Sequence, residues 1–144
     1  LLESRGLGDV YKRQVMMGTF DQLTESKGSA AGRSIHTFNM EGEGPIHHIL
    51  QLNVDDPGKY APAFKKMWTT IKPDNRLTLG QFVSGRSDGV SHYILAANDD
   101  FKDLVTRREW NDKERAAWQT YRKERGDMEI VSTMTRALVK QWKK

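Results

Sequence analysis

From Ile46 to Val54 the side chains fall into two alternating sets: Ile46, His48, Leu50, Leu52 and Val54 on one face, His47, Ile49, Gln51 and Asn53 on the other. That is the period of a strand with one strongly apolar face. The strand ends at Asp55. Asp56 then precedes Pro57, which places a carboxylate acceptor at an N-cap and a proline where a missing N–H costs nothing. Tyr60, Phe64, Met67, Trp68 and Ile71 follow at helical spacing, a single stripe that must be buried, and Pro73-Asp74-Asn75 stops the helix. A strand feeding an amphipathic helix in so few residues restricts the chain to folds in which helices pack on a sheet.

The remaining chain extends this pattern. Leu77, Leu79, Gln81 and Val83 alternate with Thr78, Gly80 and Phe82 in a second strand, and Ser91 to Ala97 makes a third. Asp88-Gly89 between them signals a hairpin, so these two strands are expected to be antiparallel neighbours. Asn98-Asp99-Asp100 opens a second helical region with Phe101, Leu104 and Val105. It is expected to break near Trp110, where Asn111 and Glu114 have capping-box spacing ahead of Ala117, Trp118 and Tyr121. Gly126 ends it. Met128 to Trp142 reads as a fourth strand, apolar enough on both faces to predict a place inside the sheet.

The order strand, helix, strand, strand, helix, strand predicts an α+β domain over Pro45 to Lys144: a four-stranded antiparallel sheet with both helical regions on one face. The other face carries Ile49, Phe82 and Gln51, which is too apolar for open water, and pairing with a second copy is the expected way to cover it. This order, the Asp-Pro helix start and the closing segment Met134 to Trp142 resemble the dimeric α/β-barrel superfamily. The resemblance implies a ferredoxin-like βαββαβ unit acting as a homodimer through the open face of the sheet. Members include cofactor-independent monooxygenases, haem-degrading enzymes, isomerases and proteins without known activity, so the fold alone names no reaction.

Ahead of the domain, Asp9 to Gln14 resembles the translation of a sequencing adaptor, as found in genes assembled from environmental reads. Leu1 to Gln14 is therefore expected to be non-native. Residues 15–44 are expected to be an N-terminal extension, a strand remnant and a flexible loop. The spacing of Phe20 and Leu23, repeated by Phe101 and Leu104, offers the remnant of a preceding repeat as the alternative.

Composition narrows the chemistry. The sequence has no cysteine, which removes thiolate nucleophiles, disulfides and cysteine-ligated metals and agrees with a reducing cytoplasm. The net charge of +4 raises nucleic acid as a partner, but from Asp99 to Asp127 acidic and basic residues balance one another, the mark of a solvated face. No apolar run is long enough for a membrane span.

Three motifs compete for chemistry. Gly85-Arg86-Ser87-Asp88-Gly89 matches the hydrolase pattern Gly-x-Ser-x-Gly, but that motif needs a strand-to-helix elbow, and here it lies in a hairpin. His47 and His48 point to opposite faces of one strand and cannot share a metal ion, so no metal is expected there. The aromatic set is the strongest: Trp68, Tyr93, Trp110, Trp118 and Tyr121, with the polar His48 and Asn53, fall on elements expected to enclose the space between helices and sheet. Such rings serve either as plain core or as the lining of a pocket for a small aromatic ligand. In haem-degrading and monooxygenase relatives an asparagine, a tryptophan and a histidine line this cavity. Asn53 meets that pattern, whereas no histidine falls on the second helical region, so haem is not expected and no cofactor is assigned. Two functions follow: a small-molecule enzyme of the cofactor-independent monooxygenase or isomerase type, or a non-catalytic dimeric binding or regulatory module.

Overall fold

The computed structural model describes residues 30–85 and 89–140, together with Lys12 and Trp142. Five strands, β1 (Ala31–Phe38), β2 (Ile46–Val54), β3 (Leu77–Ser84), β4 (His92–Asn98) and β5 (Met128–Ala137), form one antiparallel sheet in the order β1-β3-β4-β2-β5. The helices are α1 (Pro57–Ile71), α2 (Lys102–Val105) and α3 (Asp112–Glu124). The fold is therefore α+β, and its last four strands lie in the order β3-β4-β2-β5.

Local chemistry accounts for the element boundaries. The Asp56 carboxylate accepts from Gly58 N at 3.0 Å and Pro57 opens α1. At the other end Lys72 turns left-handed (φ 56°) while its N–H donates to Trp68 O at 3.0 Å. The second helical region breaks where its spacing predicts. Asn111 Oδ1 accepts from Glu114 N at 2.8 Å and Glu114 Oε2 accepts from Asn111 N at 3.2 Å, a complete capping box at the start of α3. β3 and β4 pair from Leu77↔Ala96 to Gln81↔His92, as the hairpin signal requires, and Gly85 and Gly89 both take positive φ beside it. Ser87 lies outside the described residues.

The core sits between the helices and one face of the sheet. Leu52, Leu79, Tyr60 and Phe64 are fully buried there, with Val54, Met67, Ile71, Leu77 and Tyr121 around them. β2, β3 and β4 each present alternate residues to it: Leu50, Leu52 and Val54; Leu77 and Leu79; Ile94 and Ala96. Val83 shares the parity of Leu79 yet is 60% exposed, being the unpaired extra residue where the β1–β3 ladder passes from Ala31↔Ser84 to Gly32↔Phe82.

Two expectations are corrected. Among the described residues there are five strands, not four: β1, within the segment read as an extension, pairs with β3 from Ala31↔Ser84 to Phe38↔Leu77. Its alternation is masked by the register shift between Ser34 and His36, where the extra residue Ile35 throws the side-chain parity of β1 out of step; the other shift, at Ala31/Gly32, puts its extra residue, Val83, on β3. Residues 1–29, Lys12 apart, lie outside the described region, as do the adaptor-like and repeat-like segments within it. Among the described residues β5 is an edge strand rather than an interior one, with β2 its sole neighbour, and Ile130, Val131 and Met134 are 52%, 42% and 49% exposed. Apolarity on two faces reports what could cover those faces, whereas interior placement requires a hydrogen-bonding neighbour on each side. Ladder pairing ends at Ala137, after which Leu138 N donates to Pro45 O at 2.8 Å. Among the described residues no helix is long and apolar enough to cross a membrane.

Candidate functional site

A groove of about 910 Å³ opens on the helix-bearing side, where α1 ends, β3 begins, β4 ends and the α2–α3 connection passes. Its apolar lining is Trp68, Ile71, Leu77, Ala96, Trp110 and Trp118. Aspartates 74, 99 and 103 and arginines 76, 107 and 108 supply the charge.

Three tryptophans reach the groove from separate segments. Trp68 comes from the last turn of α1, set by the stripe that buries Phe64 and Ile71. Its indole Nε1 is buried and has no hydrogen-bond partner among the described residues, a donor left unsatisfied behind the groove wall. Trp118 stands on α3, and Trp110 immediately precedes the capping residue. Their ring centroids are 5.6 Å apart with planes tilted by 55°, within the range favourable for aromatic pairs. Arg115 Nε donates to Trp110 O at 2.8 Å and holds that stretch of backbone.

Arg108 ties the walls together. Its Nη2 donates to Glu114 Oε1 at 2.9 Å, and its Nη1 lies 3.3 Å from Lys72 O and 3.5 Å from Asp74 Oδ1. Glu114 is 7% exposed and also caps α3, so one carboxylate is shared between the helix start and the arginine. The end of α1, the α1–β3 loop and the start of α3 are thereby joined. No local periodicity marks Arg108 or the groove aspartates, because they come from loops whose neighbours are set by the fold.

The other sequence candidates lie elsewhere. His48 shares the helix-facing parity of Leu50, but Nδ1 meets Thr135 Oγ1 of β5 at 3.1 Å, away from the groove. Asn53 lies between the core residues Leu52 and Val54, hence on the opposite face, paired with Glu129. Tyr93 is on that same opposite face, 5.1 Å from Phe82 between ring centroids, which corrects its placement between helices and sheet. Tyr121 is a core residue whose hydroxyl donates to that of Tyr60 at 2.9 Å. Burial first, then the neighbouring Tyr121 hydroxyl, pushes the Tyr60 phenol upward, so Tyr60 does not act as an acid near neutrality.

The remaining histidines have structural surroundings. His47 Nδ1 accepts from Arg136 Nε at 3.2 Å; desolvation first, then Arg136 and Arg76, lowers its pKa. His92 is 1% exposed and its pKa is lowered by that burial, with Nδ1 2.8 Å from Ser91 Oγ. The same hydroxyl accepts from Val54 N at 2.9 Å, so Ser91 is engaged in closing the end of the β2 ladder. Among the described residues no three His, Asp or Glu side chains are grouped to hold a metal ion. Comparison with family models, with curated proteins and with solved structures gives no match.

Proposed function

We propose that the protein binds a small, flat aromatic molecule in the groove beside Trp68, Trp110 and Trp118, as a homodimer of the dimeric α/β-barrel kind. The observation that carries this reading is the groove itself, which is roomy enough for a ligand of drug size and lined by three indole rings. Ile49, Phe82, Tyr93, Leu95 and Met134 support the dimer, since all lie on the sheet face the helices leave open. Pairing two such faces would bury on the order of 1,600 Å².

A non-catalytic binding or regulatory role is the simplest form of this proposal. Cofactor-independent oxygenation or isomerisation is the second, and it needs a base to take a proton from the ligand. The titratable groups of the lining are aspartates and arginines. Asp74 faces Arg108, and Asp103 accepts from Asp100 N at 3.4 Å, which leaves Asp99 as the candidate base.

The test uses 1,8-dihydroxyanthraquinone, a flat carbonyl-bearing ring system that quenches tryptophan emission. Saturable quenching is expected, weakened tenfold or more by Trp110→Ala in a protein whose circular dichroism is unchanged. Unaltered affinity in that variant removes the site. Asp99→Asn separates the two forms: an enzyme loses turnover and keeps binding, whereas a binding module shows no turnover to lose.

A further inference from the structure

We infer that Phe101 and Val105, which stand in solvent beside the groove, are ligand-contacting residues, carried onto a flat aromatic ligand when residues 99–107 close over it. This rests on the groove being a ligand site.

The segment is placed for that motion. Asp99, Asp103, Thr106 and Arg107 line the groove, so its inner side already forms a wall. Two of its apolar side chains stand in solvent, Phe101 58% and Val105 79% exposed, whereas Leu104 is half-buried. Isolated exposed apolar residues are ordinary, but two large ones on a single turn, bordering an apolar groove, have a destination within reach.

Its hydrogen bonding points the same way. Asp103 N donates to Asp100 Oδ1 at 3.1 Å and Asp100 N to Asp103 Oδ2 at 3.4 Å. Leu104 N reaches Phe101 O at 3.2 Å, and Thr106 N and Oγ1 reach Lys102 O at 3.0 and 2.9 Å. Among the described residues every hydrogen bond made by 99–107 is internal to it, so the turn can move as a unit without breaking a bond to the rest. Both flanks are fixed: Ala97 N donates to Arg76 O at 2.9 Å, and Arg108 is held by Lys72 O and Glu114. Such a segment between fixed ends is the usual build of a closing loop.

A ligand on the indole floor would have its second face in water. Phe101 and Val105 lie across the turn from Asp103, so closure is a roll of the turn about its own axis that brings them over this face, and burying each is worth about tenfold in affinity or more. The site then selects ligands with two apolar faces and a polar edge, the edge meeting the Asp and Arg side chains of the rim.

The experiment compares wild type, Phe101→Ser/Val105→Ser and Trp110→Ala with 1,8-dihydroxyanthraquinone, followed by tryptophan quenching, urea unfolding and amide hydrogen exchange. The double variant should bind at least tenfold more weakly with an unchanged urea midpoint, because both side chains are solvated in the free protein. In wild type the probe should slow exchange at 99–107. Equal affinity in the double variant, or exchange unaffected by the probe, overturns the closure. If Trp110→Ala loses binding while the double variant keeps it, the groove stands and the closure falls; if wild type does not bind, both fall.

Discussion

Tyr93 on β4 lies across Gly80 on the neighbouring β3, its ring filling the space a Cβ at Gly80 would occupy, and it extends over Gly32 on β1 as well. One tyrosine thus covers two strands on the open face, and Phe82 packs beside it. Glycine is required at 80 for this close approach. Gly80→Ala should displace the ring and cost about 1–3 kcal/mol. Tyr93→Ala should remove most of that penalty, so a double-mutant cycle in urea should show coupling. Additive effects would mean the overlap is not what constrains position 80.

The Tyr60–Tyr121 hydroxyl pair gives a second cycle. Tyr121→Phe leaves the Tyr60 hydroxyl, fully buried, without its partner, and about 1–3 kcal/mol should be lost. Replacing both with Phe should restore most of it, because neither site then holds an unsatisfied group. A double variant as unstable as the single one would show that packing of the rings, not satisfaction of the hydroxyls, sets the cost.

Arg108→Ala should affect both stability and the groove. It strips Glu114 of its cation and α1 of a donor to Lys72 O, a loss on the order of 1–3 kcal/mol by the usual cost of unpairing a buried charge, reduced because Arg108 is partly exposed. Weaker anthraquinone binding should accompany it, since three walls are tied through this side chain. Unchanged binding with lowered stability would assign Arg108 to the fold alone.

Acid should destabilise the protein through its histidines. Burial lowers the pKa of His36, His47 and His92 below the ordinary value of 6.5, with Lys65 adding to the effect at His36 and Arg136 and Arg76 at His47. Below 6.5 the unfolded chain therefore binds more protons than the folded one, and the sign follows: this contribution is full above 6.5 and declines as pH falls toward the folded values. The urea midpoint should drop between pH 7.5 and pH 5. His92→Gln should flatten that dependence most, given the depth of its burial; a slope identical to wild type would exclude His92 as a source.

The open face provides the quaternary test. Ile49 and Leu95 are cross-strand partners at its centre, with Met134 alongside on β5. Sedimentation should give a dimer for wild type and a monomer for Ile49→Asp/Leu95→Asp, with the circular dichroism retained. A wild-type protein that sediments as a monomer at 100 μM, roughly a hundred times a micromolar dissociation constant, would remove the dimer.

Much of the architecture was legible in local pattern. Asp56-Pro57, the Asn111/Glu114 box and Gly126 mark helix ends because caps satisfy backbone groups within a few residues of themselves. The alternation of β2 and β3 was readable because one face of each meets the core. Within the aromatic set, Trp68, Trp110 and Trp118 converge on the groove, while Tyr93 and Tyr121 share their residue class and go elsewhere.

What the chain encodes locally is therefore the list of elements, their caps and which side of each strand is apolar, since those depend on neighbours a few residues away. Tertiary structure alone decided that β1 joins the sheet beside β3, that β5 stays at the edge, and that Arg108 bridges α1 and α3. Each depends on partners distant in sequence, chosen by long-range pairing and by the shape left when the helices pack, and no local spacing records that choice.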